Sequence, residues 1–429
     1  MTILVFLFSL CGAMALGIPI AIALLVCGIA LMVFLGQFDT QILASNLMDG
    51  ADNFPLMAIP FFILAGELMN AGGISKRIIT FAMALVGHVL GGFGYVAIIA
   101  SVIFSGLSGS AVADTAALGA ILIPMMANAG YNRARSGALI ASAGIIAPIM
   151  PLSIPMIVFG VTAGVSIPKL FMSGVAPGFM LAIFLAIAWA WMVRKDDGQF
   201  KVEPRRTFAE VLVAARAAGW AFVLPFIIII GLRGGIFTPT EAASIAAWYA
   251  LFVGMVIYRE LKWNTLLKVL ISSAKTTSVI MLLAAAAMVS SWLITVANIP
   301  EQITGLLEPL MQHKILLMLA INIIVLLVGT AMDVMPTILI LTPVLMPIVK
   351  MAGIDPVYFG FMFVFNNCIG LLTPPVGTVL NVAAGVGKIS MEDMIKSVMP
   401  FMWIEIILLL LLTLFPDLVL IPLHFLTQR

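Results

Sequence analysis

The chain has 429 residues, of which 63% are hydrophobic and only 9% charged, with a net charge of +2. So few polar side chains cannot coat a soluble globule of this size, and no basic cluster is dense enough to hold nucleic acid. Cys11, Cys27 and Cys368 lie in apolar sequence without CxxC spacing or a neighbouring His, which excludes a disulfide framework and a zinc site.

Apolar stretches of roughly 17 to over 30 residues match a membrane-crossing helix and lack the alternation of an outer-membrane barrel. Residues 3–35 come first and contain Gly17-Ile18-Pro19, which gives either one kinked helix or two abutting segments. The earliest basic residue is Lys76, so this segment has no basic leader and is expected to be retained. A span over 55–72 follows. Over 74–90, Ile74, Ile78, Phe81, Leu85 and Val89 share one face, which predicts an interfacial helix. Residues 92–130 carry a polar break near their middle and read as a re-entrant hairpin.

Further spans are predicted over 134–165, 170–193, 219–236, 240–258 and 276–298. A second hairpin covers 314–350, and spans over 356–387 and 398–421 follow it. The polar stretch 194–210 holds Arg194, Lys195, Lys201, Arg205 and Arg206 and is placed in the cytoplasm. Alternating sides from that loop leaves only Lys169, Arg233, Lys314, Lys350 and Arg429 of the 21 basic residues outside. Five crossings separate the hairpins, so the first is expected to open from the cytoplasm and the second from the outside.

The two hairpins belong to a repeat. Pro124, Ala129, Gly130, Gly137, Pro151, Val175 and Pro177 recur as Pro347, Ala352, Gly353, Gly360, Pro374, Val398 and Pro400, each displaced by 223 residues. Pro19 and Pro239 extend the match, giving halves of 1–193 and 211–429. Duplicated, interrupted helices in a membrane protein point to a transport site where the interruptions meet.

Non-helical backbone at membrane depth must be buried or line a wet cavity. Proline lacks the N–H that would bond the carbonyl four residues earlier, so Pro151 frees Ala147 and Pro374 frees Gly370. Pro148 and Pro375 likewise release Gly144 and Leu371. Freed carbonyls beside hydroxyls suit a small hard cation. The candidate oxygens are Ser105, Ser108, Ser110, Ala147 and Met150 in the first half, and Gly329, Thr330, Gly370, Thr373 and Val376 in the second. Asp114 and Asp333 follow matching tips, GSAVAD and GTAMD, as N-caps of the second hairpin arms or as anchors for the cation. The cap is the favoured reading of Asp114. Asn366, Asn367 and Asn381 flank the second break and either contact substrate or join helices. Glu67 reads as interfacial, and Glu241 as part of a helix start after Thr238-Pro239-Thr240.

An enzyme signal is rejected. Gly106-Leu107-Ser108-Gly109 matches the serine motif of rhomboid intramembrane proteases, but His88, His313 and His424 are not positioned to be its base. The second tip has no serine. Phosphate-binding loops are absent from the sequence, which argues against ATP-driven transport.

The segments PFFILAGELMNAGG (60–73), SGLSGSAVADTAALG (105–119), GIIAPIMPLSIPMIVFG (144–160), FTPTEAA (237–243), TILILTPVLMPI (337–348) and GLLTPPVGTVLNV (370–382) span nearly the whole chain. Together they resemble the large membrane subunit of tripartite ATP-independent periplasmic (TRAP) transporters, most closely its sialic-acid branch. The resemblance implies an elevator-type transporter of the bacterial inner membrane, importing an organic acid with about two sodium ions. Its transport domain would comprise 91–165 and 314–387, with scaffold segments at 1–90 and 166–313 and a C-terminal helix over 388–429. It also implies a periplasmic substrate-binding protein and a small four-helix membrane subunit, the latter expected as a separate chain. Family sodium positions fall on Ser105, Ser108, Ala147 to Met150, Gly329, Gly370 and Thr373. Met150-Pro151-Leu152 replaces a denser proline run of many relatives. A stand-alone anion or ion permease of the wider ion-transporter superfamily is the alternative.

Overall fold

The computed structural model describes residues 2–195, 200–374 and 376–427. The fold is all-α, and nine helices among the described residues are long and apolar enough to cross a membrane. A tenth span is discontinuous, with Arg133–Ile149 and Ile154–Ala163 meeting at 41°.

The N-terminal stretch resolves into two segments, Thr2–Ala15 and Ile20–Phe34. Gly17 adopts a left-handed φ of 77°, which reverses the chain, and the two helices pack side by side. Ile74–Val86 is a separate helix packed on Gly92–Ser108 and Phe208–Arg233. Its inner face is Ile74, Ile78, Ile79 and Ala82, whereas Leu85 and Val89 are exposed, so the predicted stripe ends early. Both hairpins are present: Gly92–Ser108 with Ala111–Asn128, and Lys314–Ala331 with Val334–Met351.

Between the hairpins run five membrane-length segments. Two are longer than predicted. Phe208–Arg233 begins at a capping box, in which Thr207 and Glu210 satisfy each other's backbone N–H groups. Trp263–Val296 has 34 residues, because its polar first third continues the helix. Thr238 and Glu241 form a second capping box, so Glu241 does mark a helix start. The amphipathic helices Thr40–Ala51 and Ile299–Met311 fall outside the predicted spans. At the end, Met391–Leu414 and Asp417–Thr427 replace the single span predicted over 398–421.

The repeat is visible in how the halves interlock. The second arm of the first hairpin packs on Thr378–Gly387, while that of the second packs on Ile154–Ala163. The repeated glycines are points of close approach. A Cβ on Gly137 would meet Ile389 and Met394 at 2.7 and 2.8 Å, and one on Gly360 would meet Phe159 and Leu170 at 2.5 and 2.8 Å. Each half thus supplies the helix that fills the other's glycine notch.

A third close approach fixes the outer arm of the first hairpin. Trp189 is buried, donates its indole N–H to the Gly91 carbonyl at 2.8 Å, and lays its ring where a Gly94 Cβ would stand. Gly94→Val is therefore expected to lower stability by about 1–3 kcal/mol, as overpacking does. The thermal unfolding midpoint in detergent measures this.

Candidate functional site

In the first hairpin, Gly109 turns the chain with φ 61°, and Ser110 caps the second arm by accepting the Ala113 N–H at 3.4 Å. Ser110 therefore takes the cap position, and the N-cap reading of Asp114 is corrected. Asp114 sits one turn further in, fully buried, and its carboxylate accepts the Ser108 hydroxyl. The Ser108 oxygen also accepts the Ser110 N–H at 3.2 Å. Asp114 Oδ2 has no hydrogen-bond partner among the described residues. Ser105 is buried one turn back and donates to the Val102 carbonyl at 2.7 Å.

This tip rests on the break of the first discontinuous helix. A Cβ on Gly109 would strike the Leu152 carbonyl and lie 3.0 Å from Ser153 Cα. At the break, Ala147–Ile149 forms one 3₁₀ turn, Met150 is extended, and Leu152 takes φ 75°. Pro148 and Pro151 act as their chemistry dictates, since no donor among the described residues reaches the Gly144 or Ala147 carbonyl. Ser153 closes the break, donating to the Pro148 carbonyl at 2.5 Å and accepting the Met156 N–H at 3.2 Å. Ser153→Ala removes both bonds and is expected to lower stability by about 1–2 kcal/mol. Chemical denaturation with tryptophan fluorescence is the measurement.

The second half repeats the juxtaposition with different chemistry. Asp333 is the N-cap of the second arm and accepts the Val334 N–H at 2.9 Å. The tip glycine, Gly329, lies against the break. A Cβ on Gly370 would come within 2.7–2.8 Å of the Gly329 C, Cα and O atoms. Thr330 is half-buried and donates to the Leu327 carbonyl at 2.8 Å.

Two expectations change at this break. The Gly370 carbonyl is not freed by Pro374, because the Thr373 N–H reaches it at 3.0 Å in a tighter 3₁₀ turn. The Val376 carbonyl is also taken, by the Asn381 side chain at 2.5 Å. Asn381 therefore buttresses the break. Pro375 lies outside the described residues. Thr373 donates to the Ile369 carbonyl at 2.9 Å and also faces the Met402 sulfur at 3.6 Å. Asn366 joins helices, donating to the Asn322 carbonyl at 2.8 Å.

Its neighbour Asn367 is the residue whose importance the sequence understated. It is fully buried, neither amide atom has a partner among the described residues, and its Oδ1 lies 2.9 Å from where a Gly329 Cβ would stand. Glu405 was missed altogether. It is fully buried in Met391–Leu414, and an acid inside an apolar span was the available signal.

Each tip thus meets its own break, and orphaned buried oxygens gather there: the Gly144 and Ala147 carbonyls and Asp114 Oδ2 in one half, Asn367 Oδ1 in the other. Such groups are rare in folded proteins, and each calls for a partner such as water or an ion. The model of the family described as "Tripartite ATP-independent periplasmic transporter, DctM component" matches residues 7–418. The chain belongs to the TRAP transporter large permeases. Relatives of this TRAP permease include the 2,3-diketo-L-gulonate TRAP transporter large permease protein YiaN of Escherichia coli, 53% identical over 99% of both chains. A putative TRAP large permease of Haemophilus influenzae has the same identity over 99% of both. The sialic acid TRAP large permease SiaM of Vibrio cholerae is 36% identical over 96% of both. These relatives are all named as permeases. Among solved structures, the Alcanivorax borkumensis YdaH transporter shares the fold with a TM-score of 0.63 at 14% identity, covering 86% of each chain. TRAP large permeases work with a small membrane subunit and a periplasmic binding protein.

Proposed function

We propose that this TRAP permease imports an organic acid across the bacterial inner membrane by a sodium-coupled elevator movement. The observation that carries the reading is the seating of each hairpin tip on the break of its own half's discontinuous helix. Sodium takes oxygen ligands, and each junction concentrates them. Ser105, Ser108, Ser110, Ala147 and Met150 make the first half-site, with Asp114 as its anchor. Gly329, Thr330, Gly370, Thr373 and Val376 make the second, the Gly370 and Val376 carbonyls offering the lone pair that their bonds to the Thr373 N–H and the Asn381 amide leave over, with Asn366 and Asn381 in support. The interlocked halves favour 91–165 and 314–387 as one moving unit against the remaining helices.

A cavity of about 490 Å³ lies where these groups of helices meet, lined by Asn53, Gly160, Val161, Thr238 and Thr240 among others. That size suits a small organic acid. For the substrate, the 53% relative named for diketogulonate weighs more than the 36% relative named for sialic acid. A sugar acid of the first kind is therefore the leading candidate, and sialic acid the second. The periplasmic binding protein and a separate small membrane subunit complete the transporter.

The test is uptake into proteoliposomes holding the chain and its small partner. Import is expected only with the cognate binding protein and an inward sodium gradient. Uptake that persists without either removes the reading.

A further inference from the structure

Glu405 lies in the middle of Met391–Leu414, is fully buried, and neither carboxylate oxygen has a hydrogen-bond partner among the described residues. Its helix packs on both discontinuous helices, Arg133–Gly144 and Pro356–Gly370. From the first comes Ser142, also fully buried, whose hydroxyl lies near the Glu405 carboxylate without hydrogen-bonding to it or to any other described group. From the second comes Cys368, a fully buried thiol.

Basic groups on the surrounding helices stand at helix ends, and His424 lies in the last turn of Asp417–Thr427, which also packs on the helix of Glu405. Arg133 and Arg135 start the first discontinuous helix, Arg194 ends Val175–Arg194, and Lys314 starts its helix and donates to the Gly353 carbonyl. On the helix of Glu405 itself, Lys396 pairs with Glu392 at 2.6 Å. Tyr358 is engaged by the Leu412 carbonyl at 2.9 Å, and Thr378–Gly387 carries no ionisable group. A bare carboxylate in such a place is strongly disfavoured unless a positive charge accompanies it.

We propose that Glu405 and the Ser142 hydroxyl form a buried site for one monovalent cation, a proton or a sodium ion, where Met391–Leu414 bridges the two discontinuous helices. A single carboxylate beside neutral groups balances one positive charge. No cluster of three or more His, Cys, Asp or Glu able to hold a metal occurs among the described residues, which argues against a divalent ion. The site lies on a helix that belongs to neither hairpin. It is nevertheless linked to the second break, because Met402, one turn before Glu405 on the same helix face, touches Thr373. Occupancy at Glu405 can therefore bias the geometry of that break.

The test uses the complete transporter, with Glu405→Gln to remove the charge at constant shape and Glu405→Asp to retain it. Radioactive sodium binding to the purified membrane complex is counted at fixed pH. Uptake is followed from mildly acidic to mildly alkaline pH at saturating sodium. If sodium is the occupant, Glu405→Gln binds one ion fewer than the parent. If the proton is, sodium binding is unchanged and the pH dependence of uptake flattens. In either case Glu405→Asp keeps the parent behaviour. A Glu405→Gln protein with the parent sodium count and pH profile overturns the proposal. Should that variant not fold, Ser142→Ala is read instead, with an expected weakening of the same cation of about tenfold, and parent behaviour there is equally fatal. The pH arm is read whether or not transport requires sodium, so failure of the sodium-coupled reading is distinguishable from failure of this one.

Discussion

Gly370→Ala is expected to reduce uptake by about 100-fold or more, while Gly329→Ala reduces it by about tenfold or less, although both place one methyl group at the same junction. The asymmetry follows from what each methyl meets. On Gly370 it would lie 2.7 Å from the Gly329 carbonyl carbon and 2.8 Å from its Cα and oxygen, all main-chain atoms that cannot swing away. The hairpin tip must lift off the break. On Gly329 the nearest atom is Asn367 Oδ1 at 2.9 Å, with the Gly370 Cα at 3.4 Å. That amide has no hydrogen-bond partner, so rotating it breaks none. Both variants are expected to fold, with Gly370→Ala losing about 1–3 kcal/mol. Initial uptake rates in proteoliposomes, normalised to inserted protein, decide the matter. Equal rates for the two variants would show that the tip-to-break contact does not matter to transport.

The same junction shows what a sequence discloses. Both hairpins, both discontinuous helices and their internal repeat were legible because proline and glycine act locally: they remove a donor or allow a left-handed turn wherever they stand. The fate of an individual carbonyl was only half legible. Pro151 does leave the Ala147 carbonyl free, yet the corresponding carbonyl of Gly370 is recaptured by the Thr373 N–H. A tightened turn moves the donor from four residues away to three, and that choice depends on packing around the break. Capping was ambiguous for a similar reason. Asp333 caps its arm, but in the first hairpin the left-handed Gly109 places Ser110 at the cap and carries Asp114 inside.

Helix limits failed where hydrophobicity was the only guide. Lys268, Ser272, Ser273, Lys275 and Thr276 interrupt the apolar pattern, yet they lie within Trp263–Val296. Much of that stretch is exposed, where polar side chains reach water without breaking the helix. Glu405 failed in the opposite direction. Its surroundings read as an ordinary apolar span, and only the packing of three helices shows that the carboxylate is enclosed.

Ser108→Ala is expected to be the most destabilising single change at the first tip, by about 2–3 kcal/mol, because it removes one partner of a buried hydrogen-bonded pair and leaves the other. Asp114 is fully buried, the Ser108 hydroxyl satisfies one of its oxygens, and the other has no partner. Asp114→Asn retains an acceptor for Ser108 and is expected to lose about 1 kcal/mol. The double variant Ser108→Ala/Asp114→Ala removes both partners, so its loss should fall short of the sum of the two alanine singles by about 1.5–3 kcal/mol. Unfolding of all four variants in detergent, with and without sodium, supplies the cycle. Sodium that binds the folded tip raises the midpoint of the parent by mass action. If the unpartnered oxygen of Asp114 is one of the ion's ligands, Asp114→Asn loses part of that rise while keeping its stability in sodium-free buffer. If the rise is undiminished in Asp114→Asn, the carboxylate serves only to hold Ser108, and the first half-site is built from serine and main-chain oxygens alone.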